Sequence, residues 1–213
     1  MALSKVDYNS LNVTAAASKA LKWNSGADGF ETGDIAGALV LLATETASSS
    51  ATLTFDSSID STYSEYIFKF MDIHPQTDQT EFAFNFRDGS TAYDAVKTTT
   101  LFLVTHTEDD TSTSLAYNTV NDMAQGTGFL NLLKDMSADN DASGSGVIHL
   151  FNPSSTTFVK HFIATTNYMH YSPQTVNYNI AGYCNTTSAI DGVQFKMVSG
   201  NVDAGTIKMY GVS

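Results

Sequence analysis

From Ala36 onward, apolar and polar residues alternate with a period of two. That is the side-chain spacing of a half-buried β-strand. In ATLTF, Ala51, Leu53 and Phe55 share one face. In EYIFKFMDI, Tyr66, Phe68 and Phe70 point one way, and Ile67, Lys69 and Met71 the other. In EFAFNFRDG, the pattern turns Phe82, Phe84 and Phe86 inward and Glu81, Asn85 and Arg87 outward. Further strands read as LFLVTHT, GVIHLFN, FVKHFIATTNYMHY, VNYNIAGYC, GVQFKMV and TIKMYGV. The apolar run IAGALVLLA, from Ile35 to Ala43, reads as a buried strand. It is far shorter than the roughly 20 residues a membrane-crossing helix needs.

Turn signals punctuate these runs: RDGS, TEDDTS, DNDASGSG, NPSS, SPQ and SGNVDAG. The last of them reads as a hairpin loop between GVQFKMV and TIKMYGV, and Gly192 marks a bulge or a tight approach. The stretch YNTVNDMAQGTGFLNLLKDMS is read as a short strand, a glycine turn and a short helix or strand at Phe129–Met136. About nine or ten short strands without a long helical pattern predict an all-β fold. The expected architecture is a single antiparallel β-sandwich, jelly-roll-like.

Residues 1–35 differ from residues 36–213. They carry an Ala-rich piece, three glycines (Gly26, Gly29, Gly33) and the one tryptophan, Trp23. This part is expected to be an arm, with a short helix or extended piece around Ala15–Leu21 followed by turns. Tyr8, Leu11, Leu21 and Trp23 are apolar anchors with no core of their own, so they are the candidate attachment residues. The competing expectation is that the arm is the first edge of the sandwich.

Thirteen Phe and ten Tyr suit sheets. The net charge of −12 rests on 22 acids against 10 bases. That balance opposes nucleic-acid binding and docking on anionic lipid, since both need a basic patch. Cys184 is the sole cysteine, so no intrachain disulfide forms, and its strand-like setting predicts a small buried hydrophobe. The opening MALSKVDYNS lacks the apolar core of a signal peptide. Synthesis in a cytoplasm is the expectation.

No cofactor is expected, and no enzymatic site can be assembled. There is no G-x-S-x-G, and the carboxylates fall mostly in turns. The histidines form no metal-binding spacing, although His149 and His161 lie on adjacent predicted strands. The loop SADNDASGSG places Asp139, Asp141 and Ser143 in the spacing that opens a calcium loop, but Leu150 stands where a bidentate Glu would close it. The match is partial, and an ordinary polar turn competes with calcium. Late in the chain Tyr168, Tyr171, Tyr178 and Tyr183 cluster with Asn167, Asn177 and Asn179. Such residues hold sugars, or simply pack a sheet with polar outer positions.

The run IDGVQFKMVSGNVDAGTIKMYGV resembles the C-terminal ending of virion structural proteins of tailed bacteriophages. It is most similar to small β-sandwich fibre or decoration proteins of marine and cyanobacterial phages. FDSSIDSTYSEYIFKFMDIHPQTD, LFNPSSTTFVKHFIATTNYMH and NIAGYCNTTSAID resemble the same group, as does KALKWNSGADGFETGD the segments that precede such domains. The resemblance covers most of residues 36–213. It implies a non-enzymatic virion component, expected to be a tail-fibre or receptor-binding part held by its N-terminal arm, with capsid decoration as the alternative; a carbohydrate-binding module, or an enzyme on a sandwich scaffold, is a further alternative apart from the resemblance. It also implies a homotrimer, other virion proteins as partners, a host surface glycan as a candidate ligand, and a place on the tail or capsid surface.

Overall fold

Period-two alternation becomes strands throughout the molecule. A computed structural model describes residues 20–33 and 39–212, and no helix occurs among them. The strands are β1 (Ala20–Trp23), β2 (Phe30–Gly33), β3 (Leu39–Thr46), β4 (Leu53–Phe55), β5 (Glu65–Pro75), β6 (Thr80–Arg87), β7 (Lys97–Thr107), β8 (Thr113–Tyr117), β9 (Leu130–Met136), β10 (Gly144–Phe151), β11 (Lys160–Met169), β12 (Gln174–Cys184), β13 (Gly192–Met197) and β14 (Val202–Val212). Two units are distinguished, with the boundary between Val40 and Leu41.

In the first unit β1 and β2 form an antiparallel hairpin with Trp23 opposite Phe30. Its turn is closed by Asn24, whose backbone N–H donates to the Gly29 carbonyl at 3.0 Å. The Asn24 side chain also donates to Asp28 at 2.9 Å. The extended form, rather than a helix, is what Ala20 and Leu21 adopt. Tyr8, Leu11 and Ala15 lie outside the described residues.

In the second unit the strands build an eight-stranded sheet, β3-β14-β5-β10-β11-β12-β7-β8, and a four-stranded sheet, β4-β13-β6-β9. With β7, β8, β11 and β12 set aside, the pairs are nested: β3 beside β14, β4 beside β13, β5 beside β10 and β6 beside β9. The all-β, antiparallel sandwich that the alternation predicts is thus what the chain forms. The other four strands, β11-β12-β7-β8, extend the large sheet beyond β10.

The nesting corrects the expected terminal hairpin. β13 pairs with β4 and β6 in the small sheet, whereas β14 pairs with β5 in the large one. The connection between them therefore passes from sheet to sheet. Alternation reports which face a residue occupies, not which strand lies beside it. Gly192 does sit in a tight place, since a Cβ there would stand 3.1 Å from Arg87 Nε.

Phenylalanine dominates the core between the sheets. Phe84 meets Phe162 edge-on at 5.7 Å, and Phe68 meets Phe195 at 6.0 Å, each pair joining one sheet to the other. Phe82, Phe84, Phe86, Phe195 and Ile207 are all fully buried, as the alternation predicts. Two expectations about exposure are overturned. The IAGALVLLA strand is not buried: β3 is an edge strand, and Leu39 and Leu41 are exposed. Asn85 does not face solvent but is fully buried, because its amide is engaged by the Thr127 and Gly128 carbonyls of the segment before β9.

Candidate binding face

The outer face of the large sheet is built by strict alternation. In β11 Phe162, Ala164, Thr166 and Tyr168 turn inward, leaving His161, Ile163, Thr165 and Asn167 outside. β12 adds Asn177 and Asn179 to the same outer surface, since Asn177 registers with Asn167 and Asn179 with Thr165. These amides form a ladder. Asn179 donates to Asn177 Oδ1 at 2.7 Å, Asn177 to the Thr166 carbonyl at 2.6 Å, and Asn167 to Thr175 Oγ1 at 2.8 Å. A satisfied amide ladder holds its side chains fixed and still offers lone pairs and N–H groups outward.

The late tyrosines divide between the two sides. Tyr168 and Tyr178 are buried and meet edge-on at 5.7 Å. Burial pushes both hydroxyls above the ordinary tyrosine range. They are core, with no stacking surface for a sugar. Tyr183, half-buried, lies beside His161 with ring centres 6.0 Å apart, and Tyr171 is exposed beside His170 at 4.5 Å.

Toward the β8 edge the outer face turns apolar. Phe102 registers with Tyr117 and Val104 with Leu115, so the four side chains share one surface. Their exposures are 46%, 53%, 41% and 73% respectively. Four large apolar side chains lie open side by side here, which sets them apart from singly scattered surface residues. The Tyr117 hydroxyl donates to Asp122 Oδ2 at 2.8 Å, which fixes its ring.

Two shallow pockets flank the ladder. One, of about 480 Å³, is lined by Thr98, Thr100, Phe151, His161, Ile163 and Tyr183 among others. The other, of about 450 Å³, gathers His106, Glu108, Asp141, Ser143, Asn167 and Gln174. Asp141 and Ser143 of the calcium-like loop thus share a pocket, while the backbone of Asp139 closes the turn, accepting from Ala142 N–H at 2.8 Å. Among the described residues no group of three or more His, Cys, Asp or Glu side chains is placed to hold a metal ion. His149 and His161 do not meet. His149 registers with Ile163 and bonds Glu65 at 2.6 Å.

Behind this face lies a polar row that the sequence reading passed over. Lys160, Cys184 and Lys97 are register partners on β11, β12 and β7, and all three are fully buried. Lys97 Nζ donates to the Ala95 carbonyl at 2.8 Å and to Asn85 Oδ1. Desolvation by burial holds the Lys97 ammonium down at about 8. Burial likewise lowers Lys160, which donates to the Thr186 carbonyl at 3.1 Å, and pushes the Cys184 thiol up to about 12. The signal was present in the phase: Lys97 shares its face with Leu101, and Lys160 with Phe162.

No family model, curated protein or solved structure matches the chain.

Proposed function

We propose that the protein is a virion structural component of a tailed bacteriophage, a tail-fibre or receptor-binding part anchored through residues 1–35. The observation that carries this reading is the outer face of the large sheet, where an apolar patch at β7 and β8 adjoins a fixed amide ladder. An apolar patch suits contact with protein, and amides on the same outer face as Tyr183 and His161 suit a glycan. The resemblance of residues 36–213 to phage sandwich proteins supports the same assignment, as does the acidic surface, which opposes nucleic acid and anionic membrane as partners. The role is binding rather than catalysis, and neither cofactor nor calcium is assigned to it. The protein is made in the host cytoplasm and works as a homotrimer among other virion proteins.

The hairpin β1–β2 supplies the anchor. Trp23 and Phe30 stack at 4.4 Å, yet remain 61% and 40% exposed. With Leu21 they present an aromatic and aliphatic surface of the kind interfaces favour. The test is immunogold electron microscopy of particles that carry the protein. Label on the tail supports the proposal, label over the head favours the capsid-decoration alternative, and particles without label overturn both. A chain lacking residues 1–34 should fold and fail to join particles. Normal occupancy of that truncated chain would rule out the anchor.

A further inference from the structure

We propose that Lys97 and Asn85 join in an intramolecular isopeptide bond that stitches the two sheets of the sandwich together. The inference goes beyond the virion role and stands whether or not that role holds. It rests on a nucleophile and an electrophile buried against each other. Asn85 belongs to β6 of the small sheet and Lys97 to β7 of the large one. Both are fully buried, and Lys97 Nζ is in contact with Asn85 Oδ1.

The carboxamide is fixed on both sides. Its Nδ2 donates to the Thr127 carbonyl at 2.9 Å and to the Gly128 carbonyl at 3.0 Å. Its Oδ1 accepts from the Phe86 backbone N–H at 2.8 Å. An amide oriented in this way cannot rotate its carbonyl away from the amine. The Phe86 N–H is also the type of donor that stabilises charge developing on a carbonyl oxygen. Holding both groups in one dry place supplies the proximity that makes a slow reaction accessible.

The step balances without any added reagent. The lone pair of neutral Nζ attacks Asn85 Cγ and forms the new C–N bond, while the carbonyl electron pair moves to Oδ1. One Nζ proton passes to Nδ2. The electron pair returns, the Cγ–Nδ2 bond breaks and Nδ2 departs as ammonia. The product is a secondary amide that keeps one N–H. Nothing is oxidised or reduced. Desolvation supports the neutral amine that the attack requires, because it brings Lys97 down to about 8.

Mass spectrometry of the purified full chain, in denaturant, tests this directly. The expected intact mass lies below the sequence mass by one ammonia. After trypsin, residues 70–87 and 88–134 should then appear as one branched species, because an acylated Lys97 is no longer cleaved. Lys97→Arg and Asn85→Ala should each restore the sequence mass. An intact mass equal to the sequence mass overturns the proposal. So does a loss of ammonia confined to a single unbranched peptide, which marks an internal succinimide. The wild-type measurement decides the matter even where either variant fails to fold.

Discussion

Arg87 and Asp191 form an ion pair in which Arg87 Nε donates to Asp191 Oδ1 at 2.7 Å. Arg87 is the only arginine of the chain. Its Nη2 also donates to the backbone carbonyls of Asp191, at 3.1 Å, and Asp56, at 3.3 Å. One side chain at the end of β6 thus ties down the residue before β13 and the residue after β4. Arg87→Ala should cost about 1–3 kcal/mol, since it removes several charge-assisted hydrogen bonds. Asp191→Asn should cost less, about 0–1 kcal/mol, because that carboxylate is 43% exposed and the carbonyl bond survives. Chemical denaturation of the two variants checks the order.

Phe84 packs against Phe86, Phe162 and Phe195 with no exposed surface. Phe84→Ala should destabilise the fold by about 3–5 kcal/mol. A thermal melt that did not move would mean the space between the sheets is filled differently.

His170 is lowered from its ordinary value, mainly by burial. Asp135 opposes that shift and Lys134 adds to it. The folded state therefore holds the proton less well than the unfolded chain. Stability from this group is complete above the unfolded value, near 6.5, and falls as the pH drops through that value toward the folded one. His170→Gln should flatten that acid limb in urea titrations run at successive pH values. An unchanged slope would place the loss elsewhere.

The patch on β7 and β8 should be dispensable for folding and needed for assembly. Replacing Phe102 and Leu115 together by Asp should leave the melting temperature within a few degrees, since both are exposed. The doubly substituted chain should no longer form the proposed trimer, as read by light scattering. A trimer that survives both charges is held by another surface.

Gly205 interrupts β14 with φ at +123°, inside the stretch where its register with β5 shifts. A Cβ there would lie 2.9 Å from the Asp72 carbonyl oxygen. Gly205→Ala should therefore cost more than about 1 kcal/mol, measurable by denaturant titration.

Much of the sandwich was legible because the core faces obey a simple period. Phe82, Phe84, Phe86 and Phe195 announced themselves. The same rule failed at Asn85, since it presumes one wet face, whereas the segment carrying Thr127 and Gly128 supplies a second dry one. It also carried Lys97 and Lys160 inward in phase with Leu101 and Phe162, but charge argues so strongly for solvent that the phase was not followed. Strand partners were not legible. Those of β13 and β14 depend on chain crossings between sheets, and no local residue pattern encodes them. The binding face was half visible: alternation placed Asn177 and Asn179 outside, while the patch made by β7 and β8 needed the register between two strands.

The nested pairing governs how the molecule must be made. Among the described residues β4 has its only sheet neighbour in β13, and β3 lies beside β14 alone. The earliest strands of the sandwich therefore leave the ribosome well before their partners do, and they carry open edges and apolar faces until those partners arrive. Contacts between such distant segments slow folding, and waiting edges invite pairing with other chains. The last twenty or so residues thus act as a release point, since translation must reach Val212 before the first strands can be covered.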